Sequence, residues 1–125
     1  MNDALRPTRG AAGAVSLIDH QRGCLHYCGI GNITAAIISG ESERHLVSHN
    51  GILGHDTKTL REFEYAWDSS SVLVMASDGL ISRWTLLAYP GLSGRHPSVI
   101  AGVLYRDCSR GRDDATVVVY REGEV

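Results

Sequence analysis

Three aspartates at the ends of two apolar segments are the residues of this sequence best placed to do chemistry. Asp78 follows the apolar run Val72–Ala76 within a Ser-Asp-Gly motif, and Asp113 and Asp114 precede the run at 117–120, which is β-branched except for its terminal tyrosine. An apolar run without polar alternation predicts a strand that is covered on both faces. If the two strands lie antiparallel in one sheet, the carboxylates meet. Such an oxygen-only cluster suits Mg²⁺ or Mn²⁺.

The Ser-Asp-Gly motif also fits an ordinary turn. In that interpretation Asp78 caps a helix that begins at Leu80, and Gly79 only allows the chain to turn sharply. In the metal-site interpretation Gly79 also supports the site, because a residue without a Cβ lets another group come close. The second acidic cluster favours the metal site.

The elements that must position these aspartates can be predicted from hydrophobic patterning and turn residues. Strands are predicted at residues 11–18, 24–30, 33–39, 44–48, 60–67, 72–76 and 117–120, and helices at 80–87 and 97–108. Strands that follow one another through short turns indicate the α+β class. We expect antiparallel, β-sandwich-like sheets with helices packed on the outside.

Composition limits the classes of partner. A chain of 125 residues with 43% hydrophobic content is large enough for one domain with its own core. Its net charge of −2 gives no electrostatic case for nucleic acid or an anionic membrane as the partner. The N-terminal residues lack the apolar segment of a signal peptide, so a cytoplasmic protein is predicted.

The cysteines suggest an alternative metal site. There are three, at Cys24, Cys28 and Cys108, which is too few for a disulfide framework. Cys24, His26 and Cys28 alternate along one predicted strand and therefore share a face. Three successive positions on one strand face splay apart, so we rank a soft-metal site below the interpretation of these cysteines as small core residues.

Four segments together resemble a known family. LVMASDGL at 73–80 and GRDDATVVV at 111–119, with GIGNI at 29–33 and SHNG at 48–51, resemble the C-terminal part of the metal-dependent PPM-type (protein phosphatase 2C-like) serine/threonine phosphatases. The resemblance is closest to the bacterial SpoIIE and Rsb branch, which regulates sigma factors. Residues 1–10 would then be a leader or the remnant of a preceding helix, and residues 11–125 the C-terminal part of the phosphatase domain.

The resemblance implies an activity and its site residues. Asp78 and Asp113 would be ligands of Mn²⁺ or Mg²⁺, with Asp114 beside them in a supporting role. Metal-activated water would hydrolyse phosphoserine or phosphothreonine on a phosphorylated regulatory protein of the anti-anti-sigma type, so no side chain is predicted as a nucleophile.

One motif of the family has no counterpart here. Family members carry an earlier Asp-Gly whose aspartate bridges the two metals, whereas Asp78 is the only aspartate of this sequence followed by glycine. We therefore expect the chain to start after that half and to hold its metal weakly. The alternative function is a catalytically silent phosphatase fold that acts as a protein-binding or regulatory module. Its partner would be a second copy in a homodimer or a complementing N-terminal half.

Overall fold

The computed structural model describes residues 12–49, 61–111 and 114–123. They belong to two compact units, the first built from the segments up to Ile33 and from Val47 to Trp67, and the second from Thr34 to Leu46 and from Asp68 onward. The predicted leader at 1–10 and the predicted ligand Asp113 lie outside the described residues.

The described residues form seven strands and one α-helix. The strands are β1 (Gly13–Asp19), β2 (Cys24–Ile30), β3 (Thr34–Ser39), β4 (Ser42–His45), β5 (Phe63–Ala66), β6 (Val72–Ala76) and β7 (Val117–Arg121), and helix α1 spans Pro97–Cys108. Two short 3₁₀ turns lie at Leu86–Ala88 and Leu92–Gly94. Across the described ranges, no helix is both long enough and apolar enough to span a membrane.

The first unit contains a three-stranded antiparallel sheet in the order β1-β2-β5. The predicted alternation of β5 is confirmed, because Tyr65 is buried whereas Glu64 is exposed. On β2, Leu25 and Tyr27 are fully buried. The opposite face of β2 carries His26, which is paired with Leu17 of β1 on one side and with Glu64 of β5 on the other.

The second unit contains a four-stranded antiparallel sheet in the order β4-β3-β6-β7, with β6 between two neighbours. The prediction of a buried strand here is confirmed, since Val72, Leu73 and Val74 are at most 4% exposed. One face of the sheet forms a core with α1, in which Ile100 and Leu104 are completely buried. Antiparallel sheets and a packed helix confirm the α+β fold class.

The helix predicted over residues 80–87 is wrong. Leu80 instead forms an antiparallel bridge with Ser109, and the Ile81 backbone N–H donates to the Cys108 carbonyl oxygen at 2.9 Å. The Leu86 N–H, which a helix would direct to the carbonyl oxygen four residues earlier, instead donates to Glu43 Oε1 at 2.7 Å. Tertiary partners therefore override a spacing of apolar residues that is typical of a helix.

A buried carboxylate fixes the 3₁₀ turn that follows. Glu43 on β4 has a side chain only 5% exposed; its Oε1 accepts from the Leu86 N–H at 2.7 Å, and its Oε2 lies 2.9 Å from His45 Nε2. Burial alone would raise the pKa of Glu43, but hydrogen bonds from Thr85, His45 and Leu86 outweigh burial and lower that pKa overall. The ionised carboxylate thus stabilises the folded state.

We expect Glu43→Gln to lower the free energy of unfolding at neutral pH by about 1.5–3 kcal/mol, the range for a hydrogen bond to a charged group. Because the folded pKa is depressed, this contribution is complete above the unfolded pKa of about 4.3 and is lost as pH falls through the folded value. Urea unfolding from neutral pH to about pH 3 should show a shallower acid decline in the variant. The exposed Glu41 supplies the control, and an equal effect of Glu41→Gln would contradict the assignment.

Candidate functional site

The C-terminal end of β6 lies beside the N-terminal start of β7. The register pairs Ala76 with Val117, and the two strands are antiparallel neighbours, as the sequence predicts. Beyond this pair, the Ser77 N–H donates to the Thr116 carbonyl oxygen at 3.0 Å, and the Thr116 N–H donates to Ser77 Oγ at 2.9 Å. Two hydrogen bonds therefore join the segments that carry the predicted aspartates.

Asp78 lies in a tight turn directly after β6. The turn is closed by the Leu80 N–H, which donates to the Ser77 carbonyl oxygen at 3.2 Å, and Asp78 is exposed at its tip. Gly79 is buried against the segment before β7. A Cβ at this position would clash with the carbonyl oxygen of Asp114 and would lie 2.6 Å from the Cα of Ala115. The supporting role predicted for Gly79 thus has a steric basis.

The segment after α1 also forms hydrogen bonds with the turn that contains Asp78. The Arg110 N–H donates to the Gly79 carbonyl oxygen at 2.7 Å, and Arg110 Nε donates to the Leu80 carbonyl oxygen at 3.3 Å. The backbone that presents Asp78 is therefore fixed by both β7 and the end of α1. A stiff turn of this kind costs little further ordering when a ligand binds.

The structure brings two of the three predicted aspartates to adjacent segments. Asp78 and Asp114 are both exposed, and the turn of the first contacts the backbone of the second through Gly79. Exposed carboxylate oxygens fit a hard divalent cation, which retains several waters and needs few protein ligands. Whether Asp78, Asp113 and Asp114 bind a metal stays a prediction.

Sequence reasoning missed two residues that assemble this site. Ser77 uses its backbone and its hydroxyl to bind Thr116, and Ala115 lies against Gly79. For Ala115 a pattern was present, because each acidic motif places a small residue directly after its last aspartate.

The two glycine-containing segments of the resemblance meet in the first unit. Ile30 and His49 form a parallel bridge, flanked by hydrogen bonds from Gly31 N–H to the His49 carbonyl oxygen and from His49 N–H to the Gly29 carbonyl oxygen. The His49 imidazole is also engaged, with Nε2 at 3.0 Å from the Arg61 backbone nitrogen. These segments are therefore joined by their backbones, and His49 has a structural contact.

Solved structures with the same fold define the class of protein. A structure from work on the bacterial stressosome matches with a TM-score of 0.79 and 25% identity over 94% of this chain and 62% of that chain. RsbX in complex with magnesium matches with a TM-score of 0.73 and 18% identity, over 94% of this chain and 59% of that chain. The catalytic domain of the phosphatase PstP with two manganese ions matches with a TM-score of 0.73 and 16% identity, over 94% of this chain and 65% of that chain. The chain spans less than two thirds of each. The fold is that of the PPM-type phosphatases.

The family model for Stage II sporulation protein E (SpoIIE) matches residues 1–122. The chain belongs to the SpoIIE family, and the resemblance noted in the sequence is confirmed. No curated protein matches it.

Proposed function

We propose that this chain supplies the carboxylate end of a metal-dependent serine/threonine phosphatase site. The observation that carries the proposal is the meeting of β6 and β7, which puts Asp78 and Asp114 on segments in contact through Gly79. Residues 11–125 would then be the C-terminal part of the phosphatase domain.

The predicted ligands of Mn²⁺ or Mg²⁺ are Asp78, Asp113 and Asp114. Support comes from the donor chemistry, since carboxylate oxygens suit both ions, and from the magnesium and manganese in two structures of this fold. A bound ion would supply an activated water and neutralise the charge of a phosphoryl group. The task of the chain itself is to orient the carboxylates, through the hydrogen bonds of Ser77 with Thr116 and the close packing of Gly79.

The proposed substrate is phosphoserine or phosphothreonine on a bacterial regulatory protein of the anti-anti-sigma type, encountered in the cytoplasm. Membership of the SpoIIE family supports a role in sigma-factor regulation, and the similarity to RsbX and to a stressosome structure is in keeping with a protein substrate.

Calorimetric titration of the whole chain with Mn²⁺, paired with hydrolysis of p-nitrophenyl phosphate, tests the proposal. We expect Asp78→Asn to weaken Mn²⁺ binding by more than about tenfold, because even outer-shell partners of a metal site cost 10–100-fold when removed. Asp113→Asn should have a comparable effect, and Asp114→Asn a smaller one. Any Mn²⁺-dependent hydrolysis should fall in parallel.

Glu41→Gln is the matched control for the charge. Glu41 is exposed in the turn between β3 and β4, at the opposite end of the same sheet from Asp78. Its neutralisation should leave Mn²⁺ affinity unchanged. Unaltered Mn²⁺ binding by Asp78→Asn would refute the assignment.

Exposed apolar side chains on edge strands favour a second candidate, the catalytically silent binding module. Val15 and Leu17 of β1 are 55% and 65% exposed, and Val118 of β7 is 53% exposed. Apolar side chains on strands that lie at the sheet edges, as these do among the described residues, are typical of surfaces that another chain covers. A homodimer, or a complex with a separately supplied N-terminal half of the domain, without turnover at any Mn²⁺ concentration, would support the module over the enzyme.

A further inference from the structure

Three potential metal ligands of different chemistry converge on one face of the sheet in the first unit. Cys24 and His26 occupy alternate positions of β2, and Glu64 of β5 lies directly opposite His26. One donor atom from each, the thiol sulfur, an imidazole nitrogen and a carboxylate oxygen, all lie within 4.8 Å of one another. Sulfur, imidazole and carboxylate are the three donor types of protein zinc sites.

Two of the three separations between the donors match a tetrahedral ion. Cys24 Sγ is 3.4 Å from His26 Nε2, and the same Nε2 is 3.6 Å from Glu64 Oε1. With zinc bonds of about 2.3 Å to sulfur and 2.0–2.1 Å to nitrogen or oxygen, tetrahedral ligands lie about 3.3–3.6 Å apart. Small side-chain rotations would therefore complete the coordination.

A fourth residue orients the imidazole. Glu62 Oε1 lies 2.5 Å from His26 Nδ1. A carboxylate at this distance accepts a hydrogen bond from the Nδ1–H. In the neutral imidazole Nε2 is then the unprotonated nitrogen, and it faces Cys24 and Glu64. Zinc-binding histidines almost always donate the other ring N–H to a carboxylate, a backbone carbonyl or a water, and Glu62 is such a partner.

We propose that Cys24, His26 and Glu64 bind Zn²⁺, with a water as the fourth ligand and Glu62 as a positioning residue. The thiolate and the carboxylate together neutralise the charge of the ion, and the thiol proton leaves to solvent on binding. Cys24 is buried at 7% exposure, whereas the Glu64 side chain is 63% exposed, so the ion has a path from solvent.

The third ligand differs from the one that strand alternation suggests. Cys28 shares the face of Cys24 and His26, but it lies four positions from Cys24, which is about 13 Å along a strand. A residue directly opposite on the neighbouring strand is about 4.5–5.5 Å away, so Glu64 reaches His26 where Cys28 does not reach Cys24. The site shares no residue with the aspartates near Gly79, so it stands independently of the proposed phosphatase.

Titration of the whole chain with Co²⁺, a spectroscopic substitute for zinc, tests the proposal. We expect one equivalent of Co²⁺ to produce a thiolate-to-metal charge-transfer band and tetrahedral visible bands, and one equivalent of Zn²⁺ to abolish them. Cys24→Ser should eliminate the charge-transfer band. Glu62→Gln should keep the band but weaken Co²⁺ binding by about 10–100-fold, as expected for a residue that acts through His26.

Two variants keep the result interpretable. Cys28→Ser removes a thiol from the same strand face and should leave the spectrum unchanged, which makes it the matched control for Cys24→Ser. Glu64→Gln alters an exposed side chain, so this variant is expected to fold. It should weaken Co²⁺ binding, which tests the site even if Cys24→Ser is unstable. Absence of a charge-transfer band in the unmodified chain, or a band that survives Cys24→Ser, would overturn the proposal. A spectrum lost in Cys28→Ser would overturn it as well.

Discussion

Replacing Gly79 by alanine is expected to destabilise the chain by about 3 kcal/mol or more, at the upper end of the cost of overpacking. The new Cβ would clash with the carbonyl oxygen of Asp114 and lie 2.6 Å from the Cα of Ala115. Backbone atoms cannot rotate away as a flexible side chain does, so the segment before β7 must move. In the proposed metal site, the same movement would shift Asp78 relative to Asp114 and weaken Mn²⁺ binding.

Urea unfolding of Gly79→Ala beside Gly102→Ala measures this effect. Gly102 is exposed on α1, and a Cβ there meets no atom within 4 Å. Alanine at this helical position should stabilise the chain by roughly 0.5–1 kcal/mol, so the two variants should change stability in opposite directions. Equal stability of Gly79→Ala and the unmodified chain would show that the turn after β6 is not closely packed.

Trp84→Ala is the second substitution with a large expected effect, a loss of about 3–5 kcal/mol in the free energy of unfolding. Trp84 is 2% exposed in the core of the second unit, its Nε1 donates to Thr34 Oγ1 at 2.8 Å, and its ring lies 5.0 Å from that of His45. Alanine would leave a cavity and an unpaired hydroxyl. The expected cost is therefore the sum of lost burial, cavity formation and a broken hydrogen bond.

Two further variants separate these contributions. Trp84→Phe keeps most of the buried volume and removes the N–H donor, so its loss should be intermediate. Leu87→Ala removes an apolar side chain that is 58% exposed three residues away, and it should change stability by less than about 0.5 kcal/mol. Similar unfolding midpoints for Trp84→Ala and Leu87→Ala would contradict the placement of Trp84 in the core.

The strands were predictable where one local pattern decided the structure. The uninterrupted apolar run of β6 indicates a strand that is buried on both faces, and the alternation of β5 indicates a strand that is buried on one face. Both expectations hold. The predicted strand at 44–48 is displaced from the observed β4 at Ser42–His45. Its residues alternate weakly, so the pairing with β3 determines its limits.

The failed helix shows where local patterning is insufficient. The apolar residues from Leu80 to Ala88 recur at helical spacing, but they do not form an α-helix. Leu80 forms a bridge with Ser109, and Leu80, Trp84 and Leu86 pack in the core of the second unit. Helix α1 has the same periodicity and does form, with Pro97 at its first turn and the His96 side chain accepting from the Ser98 N–H. Both segments offer a candidate capping side chain, Asp78 in the first and His96 in the second, so the proline at the first turn is what distinguishes them.

Cross-strand neighbours are the part of the candidate zinc site that the sequence does not reveal. The proximity of the segments that carry Asp78 and Asp114 could be predicted from strand ends, because it requires only that β6 and β7 be adjacent. The approach of Glu64 to Cys24 and His26 requires the register of β2 against β5, and a shift of one residue would turn Glu64 to the other face. No single-strand pattern contains that information.

The two hydrogen bonds between Ser77 and Thr116 join residues 39 positions apart. Closing so long a loop costs chain entropy before any contact forms, so pairing of β6 with β7 belongs among the slower steps of folding. During translation at about 5–20 residues per second, Asp78 leaves the ribosome seconds before the strand that completes its surroundings. A nascent chain therefore cannot assemble the candidate phosphatase site until β7 has been synthesised and has docked.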